Sequence, residues 1–290
     1  MSSLVSYQRK PEWLKKKLPS SPCFGRTKSF LENKHLNTVC EEARCPNRWE
    51  CFSKGTATFL IMGPYCTRDC RFCSVKHKRP EPLRDDELYG ILEFIQKMSL
   101  NYVVITSVTR DDLQDGGASH FAKAIRLIKQ NCPNVGVEVL VPDFLGKVSS
   151  LKRVLEENPD VFNHNIETVK SLYKKVRPGA DYKRSIGLLK KSKELCPNIP
   201  TKSGIMVGLG ETKKELIDTF YDLRYAEVDI LTIGQYLRPT KKHIPVSRYY
   251  HPDEFVELEK IGKKMGFKQV ISGVFVRSSY NAYDAFINLK

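Results

Sequence analysis

The chain has 290 residues, 41% of them hydrophobic, so it is long enough to bury one large core and requires no second domain. Its apolar runs, such as residues 102–108, are far shorter than the roughly 20 residues that cross a bilayer, which excludes a membrane-spanning protein. Lysine and arginine total 48 against 33 aspartate and glutamate residues, and the net charge of +15 favours an acidic partner, either a nucleic acid or an acidic protein.

The first part of the chain, residues 1–56, is predicted to be an extension that precedes the main folded unit. It begins without the apolar segment of a secretory signal and without the amphipathic, arginine-rich pattern of an organellar targeting sequence, so we expect a cytoplasmic protein in a reducing compartment. Cys40, Cys45 and Cys51 lie within this extension at CxxxxCxxxxxC spacing. Cys23 stands alone in a proline- and serine-rich arm and is interpreted as incidental.

A second cysteine triplet follows the first predicted strand, residues 58–62. Cys66, Cys70 and Cys73 form a CxxxCxxC motif on the loop that begins at Gly63. Three thiolates bind three irons of a four-iron cluster and leave the fourth iron without a thiolate from the motif. An open position on a metal is where a substrate or cofactor binds, as in catalytic zinc sites.

Six of the nine cysteines therefore lie between residues 40 and 73, and we interpret them as ligands of two iron–sulfur clusters. Disulfides are disfavoured by the reducing compartment. Zinc is the stronger alternative, because thiolates bind both metals. Zinc sites usually pair CxxC with a second CxxC or with HxxxH, however, and neither triplet has that form.

Short β-branched apolar runs recur along the rest of the chain, and each is followed by a segment with helical spacing of apolar residues. The connections are long enough for crossover helices, which predicts parallel βα units. The six predicted strands are residues 58–62, 102–107, 136–141, 161–166, 203–208 and 230–235. We therefore predict an α/β fold, a partial (β/α)6 TIM-like barrel over residues 57–268, with functional loops at the carboxyl ends of the strands.

Two features outside the strands concern chain ends and helix ends. Cys132 and Cys196 each precede a Pro-Asn pair that stops a predicted helix, so we interpret them as packing residues.

Residues 269–290 begin with a further apolar run and continue into the sequence RSSY, residues 277–280. We predict a C-terminal strand and a tail that closes over the barrel mouth.

The second triplet resembles a known family motif. CTRDCRFC, with Phe72 before the last cysteine, is similar to the cluster motif of the radical S-adenosylmethionine superfamily. The first triplet, CEEARCPNRWEC, together with RSSY, resembles the narrower lipoyl synthase family. The resemblance extends along nearly the whole chain through TSVTRDDLQDGG from Thr106, VFNHNIETV from Val161, GLGET from Gly208 and IGQYLRPT from Ile233.

The resemblance implies an enzyme of lipoate biosynthesis, a radical sulfurtransferase that inserts two sulfur atoms at C6 and C8 of an octanoyl group. That group is carried on a lysine of a lipoyl carrier domain. The implied cofactors are two [4Fe-4S] clusters and S-adenosylmethionine, two molecules of which are used for each lipoyl group. One cluster would chelate S-adenosylmethionine, and the other, auxiliary cluster would be sacrificed as the sulfur donor.

The resemblance also implies the ligands of both clusters. Cys66, Cys70 and Cys73 would bind the S-adenosylmethionine cluster. Cys40, Cys45 and Cys51 would bind the auxiliary cluster together with a serine of RSSY, and between Ser278 and Ser279 we choose Ser279 without a spacing argument. A serine oxygen is a harder and weaker ligand for iron than a thiolate, so its corner is expected to open most easily.

Other site residues are predicted from their positions after strands. Asn163, His164, Asn165 and Glu167 lie at the end of a predicted strand, where polar side chains face a barrel mouth. The predicted S-adenosylmethionine contacts are Phe72, Asn165, Glu167 and Arg177. Arg177 either pairs with a carboxylate or caps a helix end. Arg110, Asp111 and Asp112 are expected to form an ion-pair turn, and His243 and His251 to be surface or packing residues.

The implied partners are octanoylated lipoyl carrier proteins, either acidic lipoyl domains or H protein, a low-potential electron donor, and an iron–sulfur carrier that rebuilds the spent cluster. No nucleic acid and no membrane span are expected. Two alternatives remain open: a radical methylthiotransferase acting on tRNA, which requires an appended RNA-binding domain, and a non-catalytic zinc module that braces a nucleic-acid surface.

Overall fold

The computed structural model describes residues 9–16 and 21–289. Residues 1–8 and 17–20 of the predicted N-terminal extension lie outside the described residues, as does residue 290 of the predicted tail. The strands are β1 (Thr58–Ile61), β2 (Tyr65–Cys66), β3 (Lys76–His77), β4 (Tyr102–Ser107), β5 (Gly136–Leu140), β6 (Val161–Asn163), β7 (Thr201–Val207), β8 (Ile230–Gln235) and β9 (Gln269–Gly273).

A seven-stranded parallel sheet forms the centre of the fold, with strand order β1-β4-β5-β6-β7-β8-β9. Each strand lies next to the one that precedes it in the sheet, so the crossovers, which are right-handed in nearly all βαβ units, place their helices on one side. This is the winding of a barrel rather than of a doubly wound sheet. The α/β prediction is confirmed: all six predicted strands are present, and residues 269–273 add a seventh.

The helices alternate with these strands and have clear sequence boundaries. They are α1 (Pro22–Asn33), α2 (Val39–Glu42), α3 (Arg48–Ser53), α4 (Asp86–Lys97), α5 (Ala118–Asn131), α6 (Val148–Leu155), α7 (Tyr173–Val176), α8 (Tyr182–Leu195), α9 (Lys213–Tyr225), α10 (Pro252–Lys264) and α11 (Ala282–Ile287). A capping box of Thr212 and Glu215 begins α9, and the Asp181 side chain caps α8. Cys132 and Cys196 cap the ends of α5 and α8 and pack against the core, as predicted.

The described part of the N-terminal extension packs against the β1 edge of the sheet. The amide of Leu60 on β1 donates to the carbonyl of Asn37 at 2.8 Å, and Thr38 forms an antiparallel bridge with Phe59. Phe52 of α3 lies in the same buried cluster as Phe59. These contacts place the cysteines of α2 and α3 beside the first strand.

The C-terminal tail returns across the sheet from the opposite edge. After β9 the chain runs into α11, where the Phe286 ring lies 5.2 Å from the ring of Tyr102 on β4. Gln269 on β9 donates to the carbonyl of Asn288 at 3.0 Å. The tail therefore joins strands that lie near opposite edges of the sheet.

Candidate active site

Both cysteine triplets open into the same cavity, which has a volume of about 560 Å³ and lies at the carboxyl ends of the strands. The predicted metal ligands that line it are Cys40, Cys45, Cys51, Cys66, Cys70, Cys73 and Ser279. The predicted cofactor contacts Phe72, Asn165, Glu167 and Arg177 line it as well. All nine cysteines are free, so the six in the cavity keep their thiols.

The CxxxCxxC loop presents its first sulfur to backbone donors. Cys66 ends β2, and its Sγ accepts from the amides of Arg68 at 3.4 Å and Thr109 at 3.3 Å. The amide of Cys73 donates to the carbonyl of Cys70 at 2.9 Å, which closes a tight turn between these two thiols. These amide donors and the turn fix the position of the Cys66 sulfur relative to Cys70 and Cys73.

Arg68, inside the motif, anchors this loop to two neighbouring strand ends. Its guanidinium donates two hydrogen bonds to Asp111, at 2.7 and 2.9 Å, and two to Asp143, at 3.0 and 2.7 Å. Burial alone would raise the pKa of Asp143, but the hydrogen bonds and charge of Arg68 outweigh it and lower that pKa to about 2. The predicted ion-pair turn is present between Arg110 and Asp112, whereas Asp111 pairs with Arg68 instead.

His243 holds the far end of the same loop. Its Nε2 lies 2.9 Å from the carbonyl oxygen of Cys73, and its Nδ1 lies 2.9 Å from the Thr240 hydroxyl. The sequence predicted a surface or packing histidine, because no spacing rule joins two residues so far apart in the chain. The other such histidine, His251, caps α10 through a hydrogen bond from the amide of Asp253.

The first triplet lies on α2, α3 and the turn between them. The amide of Cys45 donates to the carbonyl of Cys40 at 3.0 Å, and that of Cys51 to the carbonyl of Asn47 at 2.9 Å. Asn47 Nδ2 donates to the carbonyl of Phe275 in the tail at 2.7 Å. The Tyr280 hydroxyl donates to Glu50 Oε1 at 2.9 Å. Two long-range hydrogen bonds therefore attach the RSSY segment to the first triplet.

Burial and mutual proximity hold the thiols in their neutral form. Burial, with the neighbouring Cys45 adding to it, raises the pKa of Cys40 to about 12 and that of Cys51 to about 11. Burial also raises the pKa of Cys73 to about 12, with Cys70 and Cys66 contributing. Such groups ionise when a metal cation binds beside them, because the cation inverts the local electrostatics.

The donor set fits two iron–sulfur clusters. Each triplet supplies three soft thiolates in one electrostatically coupled group, and soft thiolates suit iron–sulfur centres. Within residues 9–16 and 21–289, no three histidine, cysteine, aspartate or glutamate side chains converge on one ion position. A four-iron cluster takes each thiolate on a different iron, whereas a structural zinc ion requires them to meet at one point.

The two serines of RSSY differ in their hydrogen bonds. The Ser278 hydroxyl accepts from Asn163 Nδ2 at 2.7 Å and donates to Asn165 Oδ1 at 2.8 Å. In the described part of the chain, the Ser279 side chain makes no hydrogen bond, and it lines the cavity with the first triplet. Ser279 therefore has an oxygen available for another ligand, while the oxygen of Ser278 is already engaged.

Asn165, Glu167 and Arg177 form a polar pocket on the cavity wall. Asn165 Nδ2 donates to Glu167 Oε1 at 3.0 Å, and Arg177 Nη1 donates to the Asn165 carbonyl at 3.0 Å. Burial raises the pKa of Glu167, and the charge of Arg177 opposes that rise. Arg177 also ends α7, yet its Nε is buried and has no hydrogen-bond partner among the described residues. A buried unpartnered guanidinium N–H is suited to an anionic ligand such as a carboxylate.

The other two polar residues of this strand end have structural roles. Asn163 is fully buried and does not line the cavity, because its Nδ2 donates to Glu138 at 2.8 Å and to Ser278. His164 lines the cavity, but its ring nitrogens lie 2.8 Å from the Val141 carbonyl and 3.0 Å from the Ser185 hydroxyl. Burial lowers the pKa of His164 to about 4.

Arg277, which the sequence did not single out, connects the two halves of the cavity. Its guanidinium interacts electrostatically with both Cys45 and Glu167. Its Nη1 donates to the Val276 carbonyl at 2.6 Å. The charge therefore lies between the first triplet and the polar pocket. The position of Arg277 beside the predicted serine ligand was the only sequence signal for it.

Comparison with protein families gives two matches. The family model described as the radical SAM superfamily matches residues 60–223, and the one described as the N-terminal domain of lipoyl synthase of the radical SAM family matches residues 3–45. The chain is 57% identical over 274 residues to lipoyl synthase of Caldanaerobacter subterraneus, covering 94% of this chain and 96% of that protein. It is 55% identical over 275 residues to lipoyl synthase of Hahella chejuensis, covering 94% and 83%.

Two solved structures share the fold of this chain at low sequence identity. HydG, a maturase of the [FeFe]-hydrogenase, aligns with a TM-score of 0.58 at 13% identity, covering 91% of this chain and 78% of that one. TYW1 with a bound lysine-pyruvate adduct aligns with a TM-score of 0.54 at 13% identity, covering 86% and 90%. At such identities the likeness concerns the fold alone. No described helix combines the length and the apolar character that crossing a membrane requires.

Proposed function

The chain belongs to the lipoyl synthase family of the radical S-adenosylmethionine superfamily, and on this premise we propose how its residues carry out the reaction. The chain is a sulfurtransferase that inserts two sulfur atoms, at C6 and C8, into an octanoyl group on a lysine of a lipoyl carrier protein. It uses a [4Fe-4S] cluster and S-adenosylmethionine. The observation that carries the residue assignment is that both triplets and Ser279 line one cavity.

We assign one cluster to each cysteine triplet in the lining of that cavity. Cys66, Cys70 and Cys73 hold the cluster that binds S-adenosylmethionine. The auxiliary cluster is held by Cys40, Cys45, Cys51 and Ser279. The free hydroxyl of Ser279, in contrast to the hydrogen-bonded Ser278, supports this choice of serine. Because an alkoxide oxygen binds iron less well than a thiolate, Ser279 would hold its iron less firmly than the three cysteines hold theirs.

S-adenosylmethionine occupies the polar pocket beside the second triplet. Its carboxylate would bind the unpartnered Nε of Arg177, and its amino group would bind Glu167 and Asn165. Phe72 packs against the apolar cluster of Val176 and Tyr236 and bounds the pocket. These residues orient the cofactor before the reaction, which is the main contribution of a protein to such chemistry.

The cofactors supply the difficult chemistry: when bound, the reduced cluster and S-adenosylmethionine provide a radical that removes hydrogen, and the auxiliary cluster provides sulfur. The residues of the chain orient the reactants and exclude water from them. Leu60, Val75, Val108, Ile205 and Val276 line the cavity with apolar side chains, which suit an alkyl chain and exclude water. Holding the octanoyl carbons between the two triplets accelerates sulfur transfer, because the reacting atoms are kept close together.

The partners and organisation follow from this assignment. We propose that acidic octanoylated carriers, either lipoyl domains or H protein, dock to the basic chain. An electron donor reduces the clusters, and an iron–sulfur carrier rebuilds the spent one.

Nine free cysteines suit a reducing compartment, so we place the protein in the cytoplasm. Residues 1–56 form the extension with the auxiliary ligands, residues 57–268 the radical barrel, and residues 269–290 the closing strand and tail.

The test is lipoyl formation on an octanoylated H protein, with S-adenosylmethionine and dithionite, by anaerobically reconstituted enzyme. We expect lipoyl product and about eight irons per chain. Cys70→Ala should abolish cleavage of S-adenosylmethionine, whereas Cys45→Ala should retain cleavage and lose sulfur insertion. Thiomethylation of tRNA without lipoyl formation would refute the function, and full lipoyl formation by both variants would refute the ligand assignment.

The serine assignment has its own test. Ser279→Ala should weaken retention of the auxiliary cluster and stop sulfur insertion while cleavage of S-adenosylmethionine continues. Ser278→Ala, the matched control, should retain both clusters, because its hydroxyl is engaged with Asn163 and Asn165. Mössbauer spectra of both variants distinguish the two serines, and the opposite pattern would transfer the assignment to Ser278.

A further inference from the structure

A strongly basic surface lies on the outer side of the CxxxCxxC loop. We call it the basic surface, and it consists of five exposed residues, Arg71, Lys174, Lys175, Lys241 and Lys242. Across residues 9–16 and 21–289, none of these five side chains forms an ion pair. Some other exposed lysines are neutralised, as Lys213 is by Glu257 and Lys214 by Asp218, whereas Lys152 and Lys260 are unpaired within the part of the chain that the structure describes but lie outside this surface.

The five charges belong to three segments that are bonded to one another. The amide of Arg71 donates to the Val176 carbonyl at 3.0 Å, directly after Lys174 and Lys175. The amide of Ile244 donates to the Arg71 carbonyl at 3.0 Å, directly after Lys241 and Lys242. The proximity of these charges is therefore built into the backbone. The CxxxCxxC loop carries one exposed carboxylate, Asp69, beside these five positive charges.

The basic surface and the cavity lie on different sides of the loop. Cys70, Phe72 and Cys73 line the cavity, whereas Arg71 and the four lysines do not. A partner on this surface approaches the cysteines from outside, separated from the cavity by the loop. An acyl carrier must insert its octanoyl-lysine arm into the cavity, so a carrier bound on the basic surface could not deliver its octanoyl group. An electron donor requires only a close approach to the loop.

We propose that the basic surface docks an acidic one-electron donor protein, a low-potential flavin or iron–sulfur protein, that reduces the cluster held by Cys66, Cys70 and Cys73. The proposal rests on the proposed function for those cysteines. In each docking event the donor is oxidised by one electron and the cluster is reduced by one electron. Two such transfers supply the two cleavages of S-adenosylmethionine for each lipoyl group. Unneutralised charge of one sign steers an oppositely charged protein and accelerates its association.

The test compares two variants of equal net charge. K174E/K175E/K241E/K242E reverses four charges of the basic surface, and R26E/K152E/K260E/K264E reverses four exposed, unpaired charges elsewhere. Calorimetry measures the Kd of an acidic flavodoxin for each cluster-loaded enzyme at low and high salt. Lipoyl formation is then measured with reduced flavodoxin and, separately, with dithionite, which needs no docking.

We expect the surface variant to bind flavodoxin at least about tenfold more weakly and to lose most of the salt dependence of binding. Its dithionite-driven lipoyl formation should be unchanged, and the control variant should stay within about twofold of the parent in binding. The double variants K174E/K175E and K241E/K242E should each show part of the loss.

Three results would overturn the docking proposal. They are unchanged flavodoxin binding by the surface variant, equal weakening by the control, and a loss of dithionite-driven lipoyl formation with flavodoxin binding intact, which would assign the surface to the carrier. If the parent binds neither flavodoxin nor a [2Fe-2S] ferredoxin, the proposal is also wrong. Failure of the parent to form lipoyl product with dithionite would refute the proposed function alone, because flavodoxin binding is measured independently.

Discussion

A buried lysine inside the barrel supports the active site from below. Lys202 and Glu138 are both fully buried, and Lys202 Nζ lies 3.0 Å from Glu138 Oε1. Glu138 also accepts from the Tyr102 hydroxyl at 3.0 Å and from Asn163 Nδ2 at 2.8 Å. Asn163 in turn donates to Ser278, so the pair is linked by hydrogen bonds to the RSSY segment.

Lys202→Met removes one partner of this pair and leaves a buried carboxylate without its cation. We expect a loss of about 3–5 kcal/mol in the free energy of unfolding, because an unpaired buried charge is costly. Anaerobic urea unfolding measures this. The double variant Lys202→Met/Glu138→Leu should recover much of the loss, since it removes both charges. A single variant as stable as the parent would contradict the argument.

Arg68→Gln tests the anchor of the CxxxCxxC loop. It leaves Asp143, whose side chain is fully buried, with one cationic partner, Arg184 at 3.2 Å, and the hydrogen bond from the Leu145 amide at 3.1 Å. We expect a loss of about 3 kcal/mol in stability and faster loss of iron from this cluster. The control is Arg84→Gln, which removes an exposed ion pair with Asp86 that solvent screens and that contributes little to stability. Iron retained after anaerobic desalting is the second measurement, and equal behaviour of the two variants would refute the anchoring role.

At the scale of single residues, the sequence analysis identified the cysteine motifs but not the residues that position them in the fold. Cysteine spacing is a local signal, so both triplets were identifiable. Arg68 meets Asp143, and His243 meets Cys73, only because parallel strands bring their carboxyl ends together. Nothing in the sequence near His243 indicates the carbonyl that it contacts. The sequence analysis chose Ser279 over Ser278 without a spacing argument, and the hydrogen bonds that engage Ser278 lie across the fold, where local sequence carries no signal for them.

At the scale of elements, strand positions were predictable and strand ends less so. The predicted strand 161–166 ends at Asn163 as β6. The amide of Ile166 instead bonds the Ser203 hydroxyl at 3.1 Å, and Glu167 adopts a φ of 67°. A side chain from a neighbouring strand thus interrupts the regular pairing. Beyond this departure Asn165 and Glu167 both line the cavity, on one side of the chain, as residues two apart do in a strand.

Gly234 on β8 determines where the tail lies. A Cβ at this position would lie 2.1 Å from the Val276 carbonyl oxygen, so Gly234→Ala must displace the segment that leads to Ser279. We expect loss of the auxiliary cluster with retention of the other one, a fall from about eight to about four irons per chain. Gly187→Ala on α8 is the matched control, because no atom lies within 4 Å of the added carbon.

Two measurements test the predicted effect of Gly234→Ala: the iron content of the protein and its cleavage of S-adenosylmethionine. Gly234→Ala should keep the cluster of the second triplet, whose cysteines lie outside the tail, but it should cleave the cofactor more slowly, because Ser278 in the displaced tail donates to Asn165 of the polar pocket. The control should keep both clusters and gain about 0.5–1 kcal/mol in stability from better helix propensity. If Gly234→Ala kept about eight irons, the tail would not position an auxiliary ligand.

At the scale of the whole molecule, the two ends of the chain meet over the sheet that they flank. Lys16 forms an ion pair with Glu50 at 2.7 Å, and Tyr280 donates to the same carboxylate. These contacts lower the pKa of Glu50 to about 2, with the Lys16 hydrogen bond as the largest cause. The sequence predicted that extension and tail would meet only through the resemblance, because periodicity describes single elements and not their long-range contacts.

Stability of the whole molecule should depend on pH through His164. Its pKa in the folded protein is about 4, below the ordinary value of 6.5, because burial disfavours the charged ring. Between these values the unfolded chain binds a proton that the folded chain does not. The free energy of unfolding therefore falls as pH decreases from about 6.5 towards about 4, by about 2 kcal/mol at pH 5.

His164→Gln isolates this contribution, because glutamine keeps polar contacts and has no titrating ring. We expect the difference in stability between parent and variant to favour the parent more at pH 7 than at pH 5, by about 2 kcal/mol. Anaerobic urea unfolding at both pH values gives this difference, and acid lability of the clusters cancels because it affects both proteins. A difference that does not change with pH would mean that the folded ring gains its proton over the same pH range as the unfolded ring, so that at pH 5 it would have to donate to both Val141 and Ser185.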